Sequence, residues 1–164
     1  MKKIRTALIS VSDKKNLKPL LNSLKRNNIK IISSGGTYKE IRKLKFKCLE
    51  VSEFTNSPEI LEGRVKTLHP KIHAGILNKR KNKVHLKDLR KNNFENIDLV
   101  IVNFYPFAET LKNTKNHDKI IENIDVGGPT MVRSAAKNYH DVTTITSADQ
   151  YKELIDELKR NKGS

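Results

Sequence analysis

The segment Asp98 to Asn103, reading DLVIVN, constrains the architecture more than any other part of the chain. Four consecutive aliphatic residues stand between polar ends, so both side-chain directions of an extended strand are apolar. A strand of that kind must be covered on both faces, which is the habit of parallel sheets flanked by helices. The rest of the chain reads consistently with it. Arg5 to Ser10 predicts a strand ending at the helix-capping pair Ser12-Asp13, and Leu17, Leu20, Leu21 and Leu24 then recur at helical spacing up to Asn27-Asn28. Lys30 to Ser33 predicts a second strand, Tyr38 to Leu44 a second helix and Lys47 to Val51 a third strand. The segment Ser52 to Asn78 has turn chemistry and no sustained period, so it reads as one long functional loop. Helices are expected over Val84 to Asn92, over Lys119 to Ile124, from the Gly127-Gly128-Pro129-Thr130 turn through Asn138, and over Asp149 to Lys159. Val142 to Thr146 completes the strands. The expected fold class is α/β: a single domain over residues 1–164, with a parallel sheet and helices on both faces.

Charge narrows the partners. Lys and Arg number 33 against 18 Asp and Glu, a formal +15, which suits nucleic acid, an anionic membrane surface or an anionic metabolite. The basic residues are scattered, and aromatics make up only 5% of the chain and do not interleave with them as a base-stacking surface requires. No nucleic-acid partner is therefore expected. The apolar runs Ala7 to Val11, Ile29 to Ile32 and Leu99 to Phe104 are too short to cross a bilayer, and no membrane association is expected either. The basic start Met1-Lys2-Lys3 lacks an adequate signal-peptide core behind it. Cys48 is the only cysteine, so an internal disulfide is impossible and a reducing compartment, the cytoplasm, is expected.

In a parallel sheet, ligands bind beyond the carboxyl ends of the strands. The unusual loops follow strands. Gly63 to Leu77, reading GRVKTLHPKIHAGIL, sets Arg64, Lys66 and the Thr67 hydroxyl within four residues, a receptor for a phosphorylated ligand or a solvated basic loop. Ser34-Gly35-Gly36-Thr37 reads either as a phosphate cradle, with approachable amides and a helix N-terminus, or as an ordinary Gly-Gly turn with a Thr cap. Ser12 and Lys14 follow the first strand, as an anion contact or a plain cap. Asn103-Phe104-Tyr105-Pro106-Phe107 offers a shelf for a planar heterocycle, or a hydrophobic plug over the sheet. Asp125-Val126-Gly127-Gly128 with Lys137 reads as an acid/base pair, or as a helix cap and an exposed lysine. His69 and His73 lie four apart with Pro70 between them, and packing or substrate positioning is favoured over metal ligation, so no metal is expected. Cys48 reads as inert core.

These stretches, in this order, resemble the IMP cyclohydrolase domain of the bifunctional purine-biosynthesis family that also carries AICAR transformylase. ALISVSDK (Ala7 to Lys14), SSGGT (Ser33 to Thr37), GRVKTLHPKIHAGIL, NFYPF (Asn103 to Phe107) and IDVGGPTMVRSAAKN (Ile124 to Asn138) carry the resemblance. It implies a methylglyoxal-synthase-like fold and ring closure of 5-formamidoimidazole-4-carboxamide ribonucleotide (FAICAR) to IMP with loss of water, without a cofactor. It further implies that Lys66 and Tyr105 act on the formyl oxygen and that Asp125 and Lys137 orient and deprotonate the attacking amide. Ser12, Lys14, Ser34, Gly35, Gly36, Thr37, Arg64 and Thr67 would hold phosphate and ribose. Asn103, Phe104, Val126, Gly127 and Gly128 would contact the base. The small-molecule partner implied is thus FAICAR or IMP. A homodimer is one assembly the resemblance allows, and the family's transformylase domain has no counterpart in these 164 residues. Rival readings are a methylglyoxal synthase, the regulatory domain of a carbamoyl-phosphate synthetase, an RNA-binding module, and a nucleotide-binding domain without catalysis.

Overall fold

In a computed structural model, which describes residues 2–164, the apolar runs become the strands of one sheet. These are β1 (Thr6–Val11), β2 (Lys30–Ser33), β3 (Leu49–Glu50), β4 (Leu99–Asn103) and β5 (Thr143–Ile145). Every pairing is parallel and the strand order is β3-β2-β1-β4-β5. The two-residue period of an extended chain sends alternate side chains to opposite faces. Ala7, Ile9 and Val11 of β1 with Leu99 and Ile101 of β4 enter one apolar cluster, whereas Leu8, Val100 and Val102 enter the other. This is why Leu99 to Val102 carries no polar residue.

The first cluster is closed by α1 (Leu17–Arg26), through Leu17, Leu20, Leu21 and Leu24, and by α9 (Tyr151–Arg160), through Tyr151, Leu154 and Leu158. Ile41 of α2 (Gly35–Lys43) joins them. The opposite cluster is closed by α3 (Val51–Thr55), α4 (Pro70–Leu77) and α8 (Gly127–Lys137), through Val51, Phe54, Ile72, Ile76, Met131 and Ala135. Truncating a fully buried member such as Leu21 or Ile72 to alanine costs about 2–5 kcal/mol. The remaining helices are α5 (Lys83–Lys91), α6 (Phe107–Asn113) and α7 (His117–Glu122). None of the described helices is long and apolar enough to cross a membrane.

Three expectations are corrected. The third strand is only Leu49–Glu50, because Val51 already turns into α3 and buries there. The segment Ser52 to Asn78 is not one loop, since it holds most of α3, a left-handed turn at Leu61–Gly63, and α4. In α4, His69 caps by accepting from the Lys71 amide, Pro70 takes the first turn, and Ile72 and Ile76, one turn apart, both bury. The NFYPF stretch ends in α6 rather than in irregular chain, and neither α6 nor α7 has a buried residue.

Candidate functional site

Strand order reverses between β1 and β4, where Val11 and Asn103 are register partners, and a crevice opens beyond their carboxyl ends as expected at a switch point. It encloses about 600 Å³. Its walls come from the β1 end at Ser12, from Leu61 to Thr67, from Asn103 and Tyr105, from Ile121 to Glu122, and from Ile124 to Gly128. A larger depression of about 1280 Å³ lies at the amino ends of the strands. Three of its cations are already paired, Lys2 with Asp141, Lys30 with Glu95 and Arg80 with Asp98, and it contains none of the sequence-predicted residues.

The floor is fixed by Asn103. Its Oδ1 accepts from the amides of Ser12 (2.6 Å) and Asp13 (3.0 Å), while its Nδ2 donates to the Asp13 carbonyl (2.9 Å). Three bonds of the carboxamide thus hold the β1–α1 loop, and the second Nδ2 hydrogen is left over at a residue that lines the crevice. Thr37 is committed in a similar way: its hydroxyl accepts from the Val11 amide (3.0 Å) and donates to the Val11 carbonyl (2.9 Å), locking α2 to the end of β1. Lys14 curls back to donate to the Ser12 carbonyl at 3.1 Å, near the open face of Gly36.

Ser34 is buried and precedes Gly35, whose φ of +54° begins α2 in the left-handed region. Only glycine takes that conformation without strain. A Cβ at Gly35 would also stand 3.1 Å from the Lys66 Nζ, so the Lys66 ammonium hangs over the N-terminus of α2. That ammonium lies 3.9 Å from a Glu59 carboxylate oxygen. Glu59 and Lys66 flank an isolated antiparallel bridge between Ile60 and Val65, which sets them side by side. Between them the chain turns through Leu61, Glu62 and Gly63, with φ of +53°, +57° and +88°. Consecutive left-handed residues that include a leucine are strained backbone, of a kind that gathers at functional sites. Arg64 leaves this turn to meet Glu122 of α7 in a two-point fork.

Thr67 is buried, and its hydroxyl sits 2.5 Å from where a Cβ on Gly127 would stand, so only a glycine lets the start of α8 come this close. Asp125 Oδ1 accepts from the Gly128 amide at 2.8 Å, a capping bond that holds the carboxylate at the crevice wall. Val126, beside it, is exposed. Tyr105 is 55% and Phe104 45% exposed, which decides against a plug over the sheet: the aromatic stretch projects outward at the crevice. Tyr105 lines the crevice and Phe104 does not.

Lys137 corrects an expectation. It is the last residue of α8, exposed, while Asp125 caps the first turn. Ten residues of helix rise about 15 Å, so the two cannot form an acid/base pair within one chain. His69 and His73 also have separate duties, His69 as the α4 cap and His73 bonded through Nδ1 to Ser134 Oγ at 3.0 Å. Burial lowers the His73 pKa, and its Nε2 is buried without a partner among the described residues. No group of three or more His, Cys, Asp or Glu among the described residues is arranged to hold a metal. Burial pushes the Cys48 thiol up to about 12. Sequence reasoning missed the carboxylates Glu59 and Glu122. Glu122 pairs with a residue 58 positions away, and no local pattern announces such a contact.

The domain family described as "MGS-like domain" matches residues 16–130. Over 157 residues the chain is 53% identical to the bifunctional purine biosynthesis protein PurH of Prochlorococcus marinus (strain MIT 9301), covering 95% of this chain and 30% of that protein. It is 49% identical over 160 residues to the protein of the same name from Acetivibrio thermocellus, covering 97% of this chain and 31% of that one. The chain spans about a third of the length of these curated relatives. Among solved structures, the crystal structure of ForH superposes with a TM-score of 0.85 at 31% identity, over 98% of this chain and 83% of that one.

Proposed function

The chain belongs to the family of the MGS-like domain, and from that premise we propose that it is an IMP cyclohydrolase, closing FAICAR to IMP and water in purine biosynthesis. The observation that carries this reading is the convergence of separate loops on one crevice of about 600 Å³ at the strand-order reversal, a size suited to a nucleotide. Relatives named for purine biosynthesis support it.

The two ends of the crevice differ in chemistry. At one end Lys66 lines the crevice and reaches towards Gly35 at the α2 N-terminus; Gly36 and Lys14 lie beyond the lining on that side, so amides and two ammonium groups, the surroundings a phosphate needs, gather next to this end. The other wall offers the Asp125 carboxylate and the Tyr105 phenol. Ring closure joins the carboxamide nitrogen to the formyl carbon as the formyl oxygen takes up negative charge. The nitrogen proton becomes acidic as that bond forms, and Asp125 Oδ2, left free by the capping bond of Oδ1, accepts it. Tyr105 donates to the oxygen, giving a carbinolamine. The protonated Asp125 then supplies the second proton and the hydroxyl leaves as water, while the formamide nitrogen forms the C=N bond and its proton returns to the Tyr105 phenolate. Holding both arms of the substrate in contact supplies much of the acceleration, because a flexible chain of bonds is frozen in an attack geometry. Lys66, suspended over Gly35, belongs to the anion end in this scheme and reaches the formyl oxygen only if the substrate folds towards it.

The test follows IMP formation from FAICAR by absorbance. The parent should turn over, Lys66→Ala and Asp125→Ala should lose turnover, and a chelator should have no effect. Turnover that survives Asp125→Ala removes that carboxylate as the base. The remoteness of Lys137 favours one second reading, a nucleotide-binding domain without catalysis, for which the parent would bind IMP and convert no FAICAR.

A further inference from the structure

We propose that Glu122 is a positioning residue for anion binding in the crevice: it fixes the plane of the Arg64 guanidinium and so aims the donors that Arg64 has left. The inference rests on the reading of the crevice as a nucleotide site. Arg64 Nη2 donates to one carboxylate oxygen of Glu122 at 2.9 Å and Nε donates to the other at 3.2 Å. A guanidinium has five N–H groups. This fork uses two and leaves three, so the cation is oriented without being saturated.

Several features say that this contact is not there for stability. Both side chains are well exposed, 60% for Arg64 and 62% for Glu122, and pairs in that setting add little to folding. Glu122 is also the last residue of α7, the helix end at which a carboxylate is electrostatically disfavoured. Little apolar packing anchors the surrounding excursion, because neither α6 nor α7 has a fully buried residue and Ile120 is only half-buried. Among the described residues the fork is the ion pair that joins this excursion to Arg64, the residue after the strained turn at Leu61–Gly63, and both partners line the crevice. Asp125 follows three residues later. One carboxylate therefore sets both the aim of Arg64 and the approach of the chain to Asp125.

The sign of one measurement separates positioning from simple charge. Glu122→Gln breaks the fork but also removes a negative charge beside an anion site. Electrostatics alone predicts tighter binding of an anion, whereas a positioning role predicts weaker binding. Calorimetric titration of the intact chain with IMP should show affinity falling about tenfold in Glu122→Gln, the scale of one charge-assisted hydrogen bond. In the Arg64→Lys background, where no fork can form, the same change should cause no loss of affinity, leaving only the slight tightening that removal of a negative charge gives, and a double-mutant cycle separates the two effects. The Arg64 Nε–H resonance of the ligand-free protein, assigned by its loss in Arg64→Lys, should shift in Glu122→Gln whether or not any nucleotide binds. Unchanged or tighter IMP binding in Glu122→Gln, or a motionless Arg64 resonance, overturns the proposal. A parent that takes up inorganic phosphate but not IMP breaks the nucleotide reading instead, and the same comparison made with phosphate then decides on Glu122. A parent that binds neither overturns both.

Discussion

Replacing Asn103 by alanine removes three hydrogen bonds that the carboxamide makes with one loop, and their settings allow the cost to be worked out. The bond from the Ser12 amide is partly buried, so its loss is worth about 1 kcal/mol; the two bonds with Asp13 are exposed and water can substitute, so each is worth about 0.5 kcal/mol. The sum is about 2 kcal/mol, which lowers the melting temperature of a chain this size by roughly 4–8 °C. Urea unfolding followed by circular dichroism should show an earlier midpoint with an unchanged slope. Amide exchange at Ser12 and Asp13 should quicken more than exchange in β4. Asn103→Asp keeps both accepted bonds but sets a carboxylate oxygen against the Asp13 carbonyl in place of the 2.9 Å donation, so it should regain less than the two accepted bonds are worth. A change below about 0.5 kcal/mol in Asn103→Ala, with exchange at Ser12 and Asp13 unmoved, would falsify the clamp.

Burial holds the His73 pKa below its ordinary 6.5, so the folded chain keeps this ring neutral while the unfolded chain takes up a proton as pH falls past that value. Its contribution to stability is therefore present above about pH 6.5 and lost below it, and His73→Asn should flatten the stability difference between pH 7 and pH 5 in paired denaturation curves. With its thiol pushed up to about 12, Cys48 should react with iodoacetamide at pH 8 at least about tenfold more slowly in the folded protein than in urea. Equal rates would mean the site opens freely.

The sheet was legible because its information is local. Leu99 to Val102 and Ala7 to Val11 announce strands covered on both sides, and the four leucines of α1 announce the layer above them. The carboxyl-end rule points to the rim at which the crevice lies. What stayed hidden depended on distance or on too few residues. His69, Pro70, Ile72 and Ile76 do spell a helix, but the cations and turn formers before them drown a two-turn signal. α6 has no buried residue and so no period to detect. The duties of Asn103 and Thr37 lie in partners 90 and 26 residues away, which spacing cannot disclose. Asp125 and Lys137 misled for the opposite reason: closeness in sequence suggested a pair, and the helix between them keeps them apart.

Dihedral wells are separated by steric barriers, and the rim places Leu61 and Glu62 at positive φ, sparsely populated for side-chain-bearing residues, just before Gly63, for which positive φ is ordinary. Leaving that region means crossing a steric barrier, so the turn can fluctuate within its well but does not pass gradually into another shape. A visiting molecule therefore meets, on that side, a rim shaped by backbone geometry, facing helices that carry no fully buried side chain.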